Sequence, residues 1–186
     1  MRAREIPFAL GGSVAAWARG GPITQNDLDL MVKPADAASA LAALDAAGMR
    51  TERPVEEWLF KAWHGDVMID LIFHPAGLEI TDEVIARAEV LPVFAVATPV
   101  LAIEDVLATK LNALTEHDLD YRPTLAIARA VREQVDWQRL RAQTVGSPFA
   151  RAFFVLAEGL QIAPAVRHVA SGSSARVRVV TSADGL

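Results

Sequence analysis

The first half of the chain alternates between short apolar runs and segments with helical spacing. Apolar runs predict strands over residues 6–10, 28–32, 58–63, 67–73 and 90–97. Segments with alanine-rich or amphipathic patterns predict helices over residues 14–18, 35–47 and 82–88. The turn His64-Gly65-Asp66 is expected to join two of the strands as a hairpin.

The pattern changes to helical periodicity after residue 98. Apolar positions three and four residues apart predict helices over 101–114, 124–131, 136–142 and 148–160. The segment 176–180 is expected to be either a late strand or a frayed terminus. The fold class predicted from this order is α/β (α+β), with a mixed sheet and flanking helices over residues 1–98 and a helical bundle over residues 99–186.

Composition bounds the class of protein. Of the 186 residues, 52% are hydrophobic, which is enough for a substantial core, and cysteine is absent. The absence of cysteine excludes disulfides and thiolate metal sites and fits a reducing cytoplasm. Residues 1–5 are charged, and the longest apolar stretch, residues 90–103, is too short and too interrupted to span a bilayer. We therefore expect a cytoplasmic protein with no membrane partner.

Charge is distributed unevenly between the two halves. Residues 1–120 carry 9 Lys or Arg and 19 Asp or Glu, a balance of −10, whereas residues 121–186 carry 9 Arg and 4 Asp or Glu, a balance of +5. The asymmetry predicts an acidic, metal-binding half and a half with an arginine-rich face for a polyanion. The alternative is that these arginines are simply exposed to solvent on the outer faces of helices.

A glycine turn followed by a serine lies next to the first predicted strand. Gly11 and Gly12 allow a ligand to approach the backbone closely, and Ser13 stands where the N-cap of the following helix is expected. The amide groups and positive end of such a helix attract phosphate. The turn is therefore predicted to contact the phosphates of a nucleotide through Gly11, Gly12 and Ser13. A serine that only caps the helix is compatible with this role.

Three aspartates are predicted to converge on the sheet. Asp27 and Asp29 are two residues apart and so project from the same face of a strand, and Asp70 lies in the middle of a very apolar strand. Carboxylates held together repel each other unless a cation joins them. Three of them can hold two Mg²⁺ ions, with Mn²⁺ as an alternative. The competing interpretation for Asp70 is a core ion pair with an arginine.

This combination resembles the nucleotidyltransferase superfamily of the DNA polymerase β type. The superfamily pattern is Gly-Ser, a spacer of about ten residues, Asp-x-Asp and a third carboxylate on a later strand. Gly12-Ser13, Asp27 and Asp29, and Asp70 match it in order over residues 6–73. The resemblance implies a nucleotidyltransferase-fold mixed sheet and catalysis by Asp27, Asp29 and Asp70.

The second half resembles a subgroup of that superfamily, the AbiEii-type toxins that include the MenT toxins. The similarity rests on a lone lysine in an apolar helix, Lys110, followed by the acidic cluster His117 to Arg122. It implies that Lys110 is a catalytic residue that binds the triphosphate and that Asp118 or Asp120 supports the nucleotide site. His117 departs from the arginine frequent at this point in the subgroup. The alternative for Lys110 is a lysine that snorkels to solvent.

The leading functional expectation is transfer of a nucleotide from an NTP to a hydroxyl acceptor. Asp27 and Asp29 would hold both metal ions, and Asp70 would complete one metal site and help to deprotonate the acceptor. The toxin resemblance implies that the acceptor is the 3′ end of tRNA, that a pyrimidine nucleotide is added, and that a cognate antitoxin exists. Such an antitoxin would neutralise the site by phosphorylating Ser13 or a nearby hydroxyl.

Two alternatives stay open at this stage. The acceptor is a small molecule or a protein, as in the aminoglycoside nucleotidyltransferases, and the acidic first half would suit a cationic drug. In the second alternative, the protein is a nucleotide-binding or partner-binding module without turnover, although the intact motifs speak against it.

Overall fold

The structure is a computed structural model that describes residues 1, 4–24 and 27–165 of the chain. The predicted feature at residues 176–180 lies outside the described residues. The strands are β1 (Ala9–Leu10), β2 (Leu28–Met31), β3 (Arg50–Glu52), β4 (Leu59–His64), β5 (Val67–Ile72), β6 (Glu89–Val93) and β7 (Val96–Val100). The helices are α1 (Gly12–Ala18), α2 (Ala37–Asp45), α3 (Asp82–Ala86), α4 (Ile103–Asn112), α5 (Arg122–Val131), α6 (Trp137–Gln143) and α7 (Pro148–Gly159). No helix in this part of the chain is long and apolar enough to cross a membrane.

The seven strands form one mixed sheet in the order β3-β4-β5-β2-β1-β7-β6. Strand β2 is parallel to β5, β1 is parallel to β7, and the other neighbours are antiparallel. The predicted fold class, a mixed sheet with helices around it and helices after it, is confirmed. The antiparallel β1–β2 pair brings the end of β1 beside the start of β2, which places the glycine turn next to Asp29.

The two faces of the sheet are covered by different parts of the chain. Met31 belongs to the largest core together with α1 and α4, whereas its neighbour Val32 packs with Leu41 of α2. Adjacent strand residues point to opposite faces, so Asp29 lies on the same face as Met31. That face is the one that α1 and α4 flank. The predicted division between residues 98 and 99 falls inside β7, and residues from both sides of it share this core.

The apolar run at 90–97 is a hairpin and not the single strand that its pattern predicts. Phe94 and Ala95 both have left-handed backbone angles, with φ of 46° and 64°, and they turn the chain between β6 and β7. Such turns favour Asn and Gly, so Phe-Ala hides the turn from a sequence pattern. The ring of Phe94 stacks on Trp17 with 4.8 Å between ring centroids, and this contact helps to hold the turn.

A buried carboxylate joins the helical part to the sheet part. Asp105 in α4 is fully buried and accepts hydrogen bonds from Arg87 at 2.9 Å, Arg139 at 3.3 Å and Gln143 at 2.6 Å. The neighbouring Glu104 accepts from the backbone amide of Asp136 at 2.7 Å. Buried charges of this kind require such partners. The acidic start of α4 is therefore a structural connection.

Candidate active site

The glycine turn places the start of α1 directly over β2. The backbone amide of Gly11 donates to the carbonyl of Asp29 at 2.8 Å, and α1 begins at Gly12. The N-cap of α1 is Gly11, so the prediction that Ser13 is the N-cap is wrong. The amide of Ala15 donates to the carbonyl of Gly11 at 3.0 Å, so the first helical hydrogen bond begins at Gly11 and Ser13 lies in the first turn.

Gly12 leaves room for the carboxylate of Asp29. A Cβ atom on Gly12 would overlap Asp29 Oδ2. Because the approach is this close, the carboxylate and the start of α1 share one small space, and any side chain at position 12 would fill it. Glycine is therefore required at position 12 both by the left-handed backbone and by the close approach of Asp29.

We expect Gly12→Ala to impair the site more than its backbone strain alone would. Gly65→Ala is a matched control, because Gly65 has the same φ of +59° and nothing within 4 Å of its added Cβ. Each variant should lose about 1–2 kcal/mol of unfolding free energy from the left-handed backbone. Only Gly12→Ala should also lose nucleotide binding, measured by calorimetry. Equal binding by the two variants would show that the approach of Gly12 to Asp29 has no functional role.

Asp29 and Asp70 face each other across neighbouring strands. The parallel β2–β5 register pairs Asp29 with Asp70, and the β4–β5 hairpin pairs Asp70 with Lys61. Lys61 Nζ lies 3.0 Å from Asp70 Oδ1, and the two side chains are 25% and 16% exposed. One lysine and two aspartates therefore form a row across β4, β5 and β2 on one face of the sheet.

The environment of Asp29 opposes its ionisation. Burial is the main cause, the charges of Asp70 and Asp27 add to it, and together they raise the pKa of Asp29 from 3.8 to about 6 although Lys110 and Lys61 act in the opposite direction. A carboxylate that is destabilised in this way gains from any cation that binds it. Titratable groups with such raised pKa values concentrate at functional sites.

Asp27 lies at the rim of this row and not inside it. It is exposed, it precedes β2, and it borders a cavity of about 450 Å³ that Asp66 also lines. Across residues 1, 4–24 and 27–165, no three His, Cys, Asp or Glu side chains are grouped closely enough to hold a metal ion. Asp70 has the ion pair that its competing interpretation requires, with Lys61 in place of an arginine. The metal roles of Asp27, Asp29 and Asp70 stay predictions.

Lys110 reaches inward to the glycine turn. Its Nζ donates to Ser13 Oγ at 3.2 Å across 97 residues of sequence. Burial lowers the pKa of Lys110, and the nearby charge of Asp29 partly offsets the effect. The structure therefore brings Gly12, Ser13, Asp29 and Lys110 together, and a snorkelling lysine does not describe this geometry.

Asp118 and Asp120 lie in the loop between α4 and α5 and have local contacts. The backbone amide of Asp118 donates to Thr115 Oγ1 at 3.1 Å. Asp120 accepts from the guanidinium of Arg122 at 2.8 Å and from its backbone amide at 2.9 Å, and these hydrogen bonds, the guanidinium first, lower the pKa of Asp120. The contacts explain how the loop enters α5. A role for either aspartate at the nucleotide stays a prediction.

The structure adds three residues that sequence reasoning left without a role at the site. Lys61 pairs with Asp70, and Trp58 and His74 line a cavity of about 450 Å³ that opens beside Asp29 and Lys110. Arg19, at the end of α1, joins this helix to β7 and the residue after it. It donates to the carbonyls of Leu101 at 2.8 Å and Val100 at 3.2 Å.

Comparison with solved structures shows a likeness to the aminoglycoside nucleotidyltransferase ANT(2″)-Ia. Its crystal structure in complex with adenylyl-2″-tobramycin matches with a TM-score of 0.56 and 17% sequence identity, over 82% of this chain and 91% of that chain. The solution structure of the same antibiotic-resistance factor, with its substrate-regulated conformation dynamics, matches with a TM-score of 0.56 and 17% identity, over 86% and 90%. No protein-family model and no curated protein sequence matches the chain. At this identity the likeness concerns architecture, and the chain has a nucleotidyltransferase-like fold.

Proposed function

We propose that the protein transfers a nucleotidyl group from an NTP to a hydroxyl of a small molecule. The observation that carries the proposal is the in-register pair of Asp29 and Asp70, which stands beside Gly12, Ser13 and Lys110. Carboxylates next to a phosphate-binding turn and a buried lysine are the parts that phosphoryl chemistry needs. The nucleotidyltransferase-like fold supports the same activity.

Each residue has a separate task in this proposal. The amide groups at the start of α1, the hydroxyl of Ser13 and the ammonium of Lys110 hold the β- and γ-phosphates and neutralise part of their charge. Asp70 accepts the proton of the acceptor hydroxyl as that oxygen attacks the α-phosphorus. The bond from the α-phosphorus to the bridging oxygen breaks, and pyrophosphate leaves.

A divalent cation fits the carboxylates. Burial first, and then the charges of Asp70 and Asp27, raise the pKa of Asp29, so a cation bound to this carboxylate would stabilise its charged form. Asp29 and Asp70 would hold the ion, with Asp27 at the rim, and oxygen donors of this kind suit Mg²⁺ or Mn²⁺. When bound, the ion would stabilise the negative charge that develops on the α-phosphate.

Lys61 should limit the affinity for that cation, because its ammonium already occupies Asp70. We expect Lys61→Gln to bind Mn²⁺ about tenfold more tightly at pH 8. Tenfold corresponds to about 1.4 kcal/mol. This is less than the several kcal/mol that an ammonium at this distance would contribute if solvent did not screen it. Titration of free Mn²⁺ by electron paramagnetic resonance measures the affinity without any turnover.

Lys33 provides the control for this experiment. Its side chain is also 25% exposed and also pairs with an aspartate, since Nζ lies 2.7 Å from Asp82 Oδ1, but it lies outside the site. Lys33→Gln should bind Mn²⁺ as the wild type does. An unchanged or weaker affinity in Lys61→Gln would mean that the lysine only supports the sheet.

Two observations support a small-molecule acceptor. A structural neighbour has been captured with adenylyl-2″-tobramycin, a nucleotidylated small molecule. In addition, four arginines of the second half are paired with carboxylates, which reduces the positive charge available to a polyanion. These pairs are Arg122 with Asp120, Arg132 with Glu133, Arg139 with Asp105, and Arg141 with Glu158.

The 3′ end of tRNA is the second candidate acceptor. It is favoured by the contact of Lys110 with Ser13, because the toxin resemblance assigns Lys110 to the triphosphate and the glycine turn assigns Ser13 to the same phosphates. This candidate would bring with it addition of a pyrimidine nucleotide and a cognate antitoxin that acts on Ser13. A phosphate on Ser13 would fill the space that the triphosphate needs and repel it.

The experiment that tests the proposal offers each labelled NTP with Mg²⁺ to three acceptor pools. The pools are a collection of small hydroxyl compounds, total tRNA and total protein. Label in a small compound that disappears in Asp29→Asn supports the proposal, and label in tRNA would move the function to the second candidate. Binding of NTP without transfer to any pool would overturn both and favour a nucleotide-binding module.

A further inference from the structure

Two cavities border the contact between Lys110 and Ser13. The smaller, of about 270 Å³, opens at Ser13 and is lined by residues 22–24 and by α5. The larger, of about 450 Å³, is lined by Gly12, Asp29 and Lys110. Each cavity therefore adjoins a group that the proposed function gives to the triphosphate, and the nucleoside of a bound NTP can occupy only one of them.

The chemistry at the α-phosphorus assigns the nucleoside to the larger cavity. The α-phosphate must lie at the ion that Asp29 and Asp70 would hold, because its negative charge develops there. The nucleoside is joined to the α-phosphate through one ester oxygen, so it has to begin beside Asp29. Among the described residues that line the two cavities, Asp29 belongs to the larger one alone. The larger cavity therefore continues the triphosphate site.

The sheet carries this cavity from Asp29 to an indole ring. Along β2, Met31 is the next residue after Asp29 on the same face, about 7 Å further on. It pairs with Ile72 of β5, and Trp58 lies beyond this pair, where its backbone carbonyl accepts from the amide of His74 at 3.2 Å. All four of these residues line the cavity. A nucleotide with its α-phosphate at Asp29 would cover Met31 and Ile72 with its ribose and bring its base to Trp58.

Trp58 presents its ring to a ligand in this cavity. It is 44% exposed, although the rest of the far wall is mostly apolar. Nucleobases stack on exposed aromatic side chains, and this stacking does not depend on the polar groups at the edge of the base. The hydroxyl of Thr109, which also lines the cavity, already donates to the carbonyl of Val106 at 3.0 Å. The wall therefore offers a base mainly contact area.

We propose that the base of the NTP stacks on Trp58, and that this cavity prefers purine to pyrimidine nucleotides and accepts adenine and guanine alike. The two fused rings of a purine cover more of the indole and of the apolar wall than a single ring does. This inference rests on the proposed function and names its nucleotide class. It differs from the pyrimidine nucleotide that the toxin resemblance implies.

Isothermal titration calorimetry with the full chain and Mg²⁺ tests the inference without turnover. The ligands are the α,β-methylene analogues of ATP, GTP, CTP and UTP, and inorganic tripolyphosphate, which has the phosphates but no nucleoside. We expect both purine analogues to bind about fivefold more tightly than both pyrimidine analogues. In Trp58→Ala the affinity for the purine analogues should fall by about tenfold, as expected for one base–aromatic stack, while the affinity for tripolyphosphate stays within about twofold.

Two variants are matched controls. Trp63→Ala removes an indole of β4 that packs on the guanidinium of Arg50, 3.6 Å from its ring centroid, and that does not line the cavity. Ala126→Leu adds volume to the smaller cavity, which Ala126 lines. Neither variant should change the affinity for any of the ligands. Thermal unfolding checks the fold of each variant, and Trp58→Phe, which keeps a ring, should lose less purine affinity than Trp58→Ala.

Four results would overturn the inference. The first two are wild-type affinities that do not favour the purines and an unchanged purine affinity in Trp58→Ala. The third is an equal loss of tripolyphosphate affinity in Trp58→Ala, which would make the indole a support of the phosphate site. The fourth is weaker nucleotide binding in Ala126→Leu, which would assign the nucleoside to the smaller cavity. Failure of the proposed function is seen separately, as absence of label transfer to every acceptor pool, because Trp58-dependent binding of a purine nucleotide needs no transfer.

Discussion

Asp29→Asn is expected to abolish nucleotidyl transfer and, at the same time, to stabilise the metal-free protein. Loss of a metal-binding carboxylate should lower the rate by about 10³-fold or more, because the bound ion supplies several kcal/mol of transition-state stabilisation. The gain in stability follows from the pKa of Asp29, which burial first and then Asp70 and Asp27 raise from 3.8 to about 6. Keeping this group ionised in the fold costs about 2–3 kcal/mol at pH 8.

The stability gained by Asp29→Asn should depend on pH in a defined direction. Because the folded pKa is the higher one, the cost is complete above pH 6, decreases as the pH falls towards 3.8, and is absent below that value. The advantage of Asp29→Asn in the free energy of unfolding should therefore drop to about half between pH 8 and pH 5. Urea unfolding in the presence of a chelator measures this quantity at both pH values.

Asp45→Asn is a suitable control, since Asp45 is exposed at the end of α2. It should change neither activity nor the pH dependence of stability. A destabilised Asp29→Asn at pH 8 would contradict the expectation and identify Asp29 as a structural carboxylate. Retained turnover in Asp29→Asn would remove Asp29 from the chemistry altogether.

Lys110→Met is expected to weaken NTP binding by about 10- to 150-fold, which corresponds to the 1.5–3 kcal/mol of one hydrogen bond to a charged group. Methionine keeps most of the apolar volume of the side chain in α4, so the helix should fold normally. The variant should also raise the pKa of Asp29 further, because Lys110 is the strongest of the groups that lower it. Mg²⁺ binding should therefore require a higher pH than in the wild type.

Calorimetric titration with an NTP analogue at pH 7 and pH 8.5 measures both effects. Lys33→Met is the control, because Lys33 pairs with Asp82 outside the site. An unchanged NTP affinity in Lys110→Met would show that its contact with Ser13 serves the fold and not the triphosphate.

The strands of the sheet were predictable where an apolar run coincided with one strand. The run at 67–73 predicted β5, and the run at 28–32 predicted β2. The strand β3 was not predicted, because Arg50, Thr51 and Glu52 form a short edge strand with no apolar residue. This strand is stabilised by its pairing with β4 and by the contact of the Arg50 guanidinium with the ring of Trp63.

The candidate site could be predicted only in part. Its motifs are short stretches of sequence, whereas the contacts between them depend on how the strands and helices pack. The Gly-Ser turn and the aspartates were visible as short patterns, whereas the pairing of Lys61 with Asp70 depends on hairpin register. The observed pairing of His64 with Val67 makes Gly65-Asp66 a two-residue turn, and this places position 61 opposite position 70. The longer turn expected from His64-Gly65-Asp66 did not fix that register.

The contact of Lys110 with Ser13 depends on how α4 packs against α1, which no local pattern specifies. The apolar spacing of α4 predicted a helix with a buried face. It did not specify whether Lys110 would reach solvent or the site. Packing on α1 decides this, because it brings the last turn of α4 beside the first turn of α1.

The position of the label that the protein transfers tests nucleotidyl transfer most directly. The purified protein is incubated with Mg²⁺ and the acceptor pools, once with NTP labelled at the α-phosphorus and once with NTP labelled at the γ-phosphorus. We predict that the α-label moves to an acceptor, that the γ-label is released as pyrophosphate, and that Asp29→Asn does neither. Transfer of the γ-label, or its release as orthophosphate, would contradict nucleotidyl transfer and identify a kinase or a phosphatase.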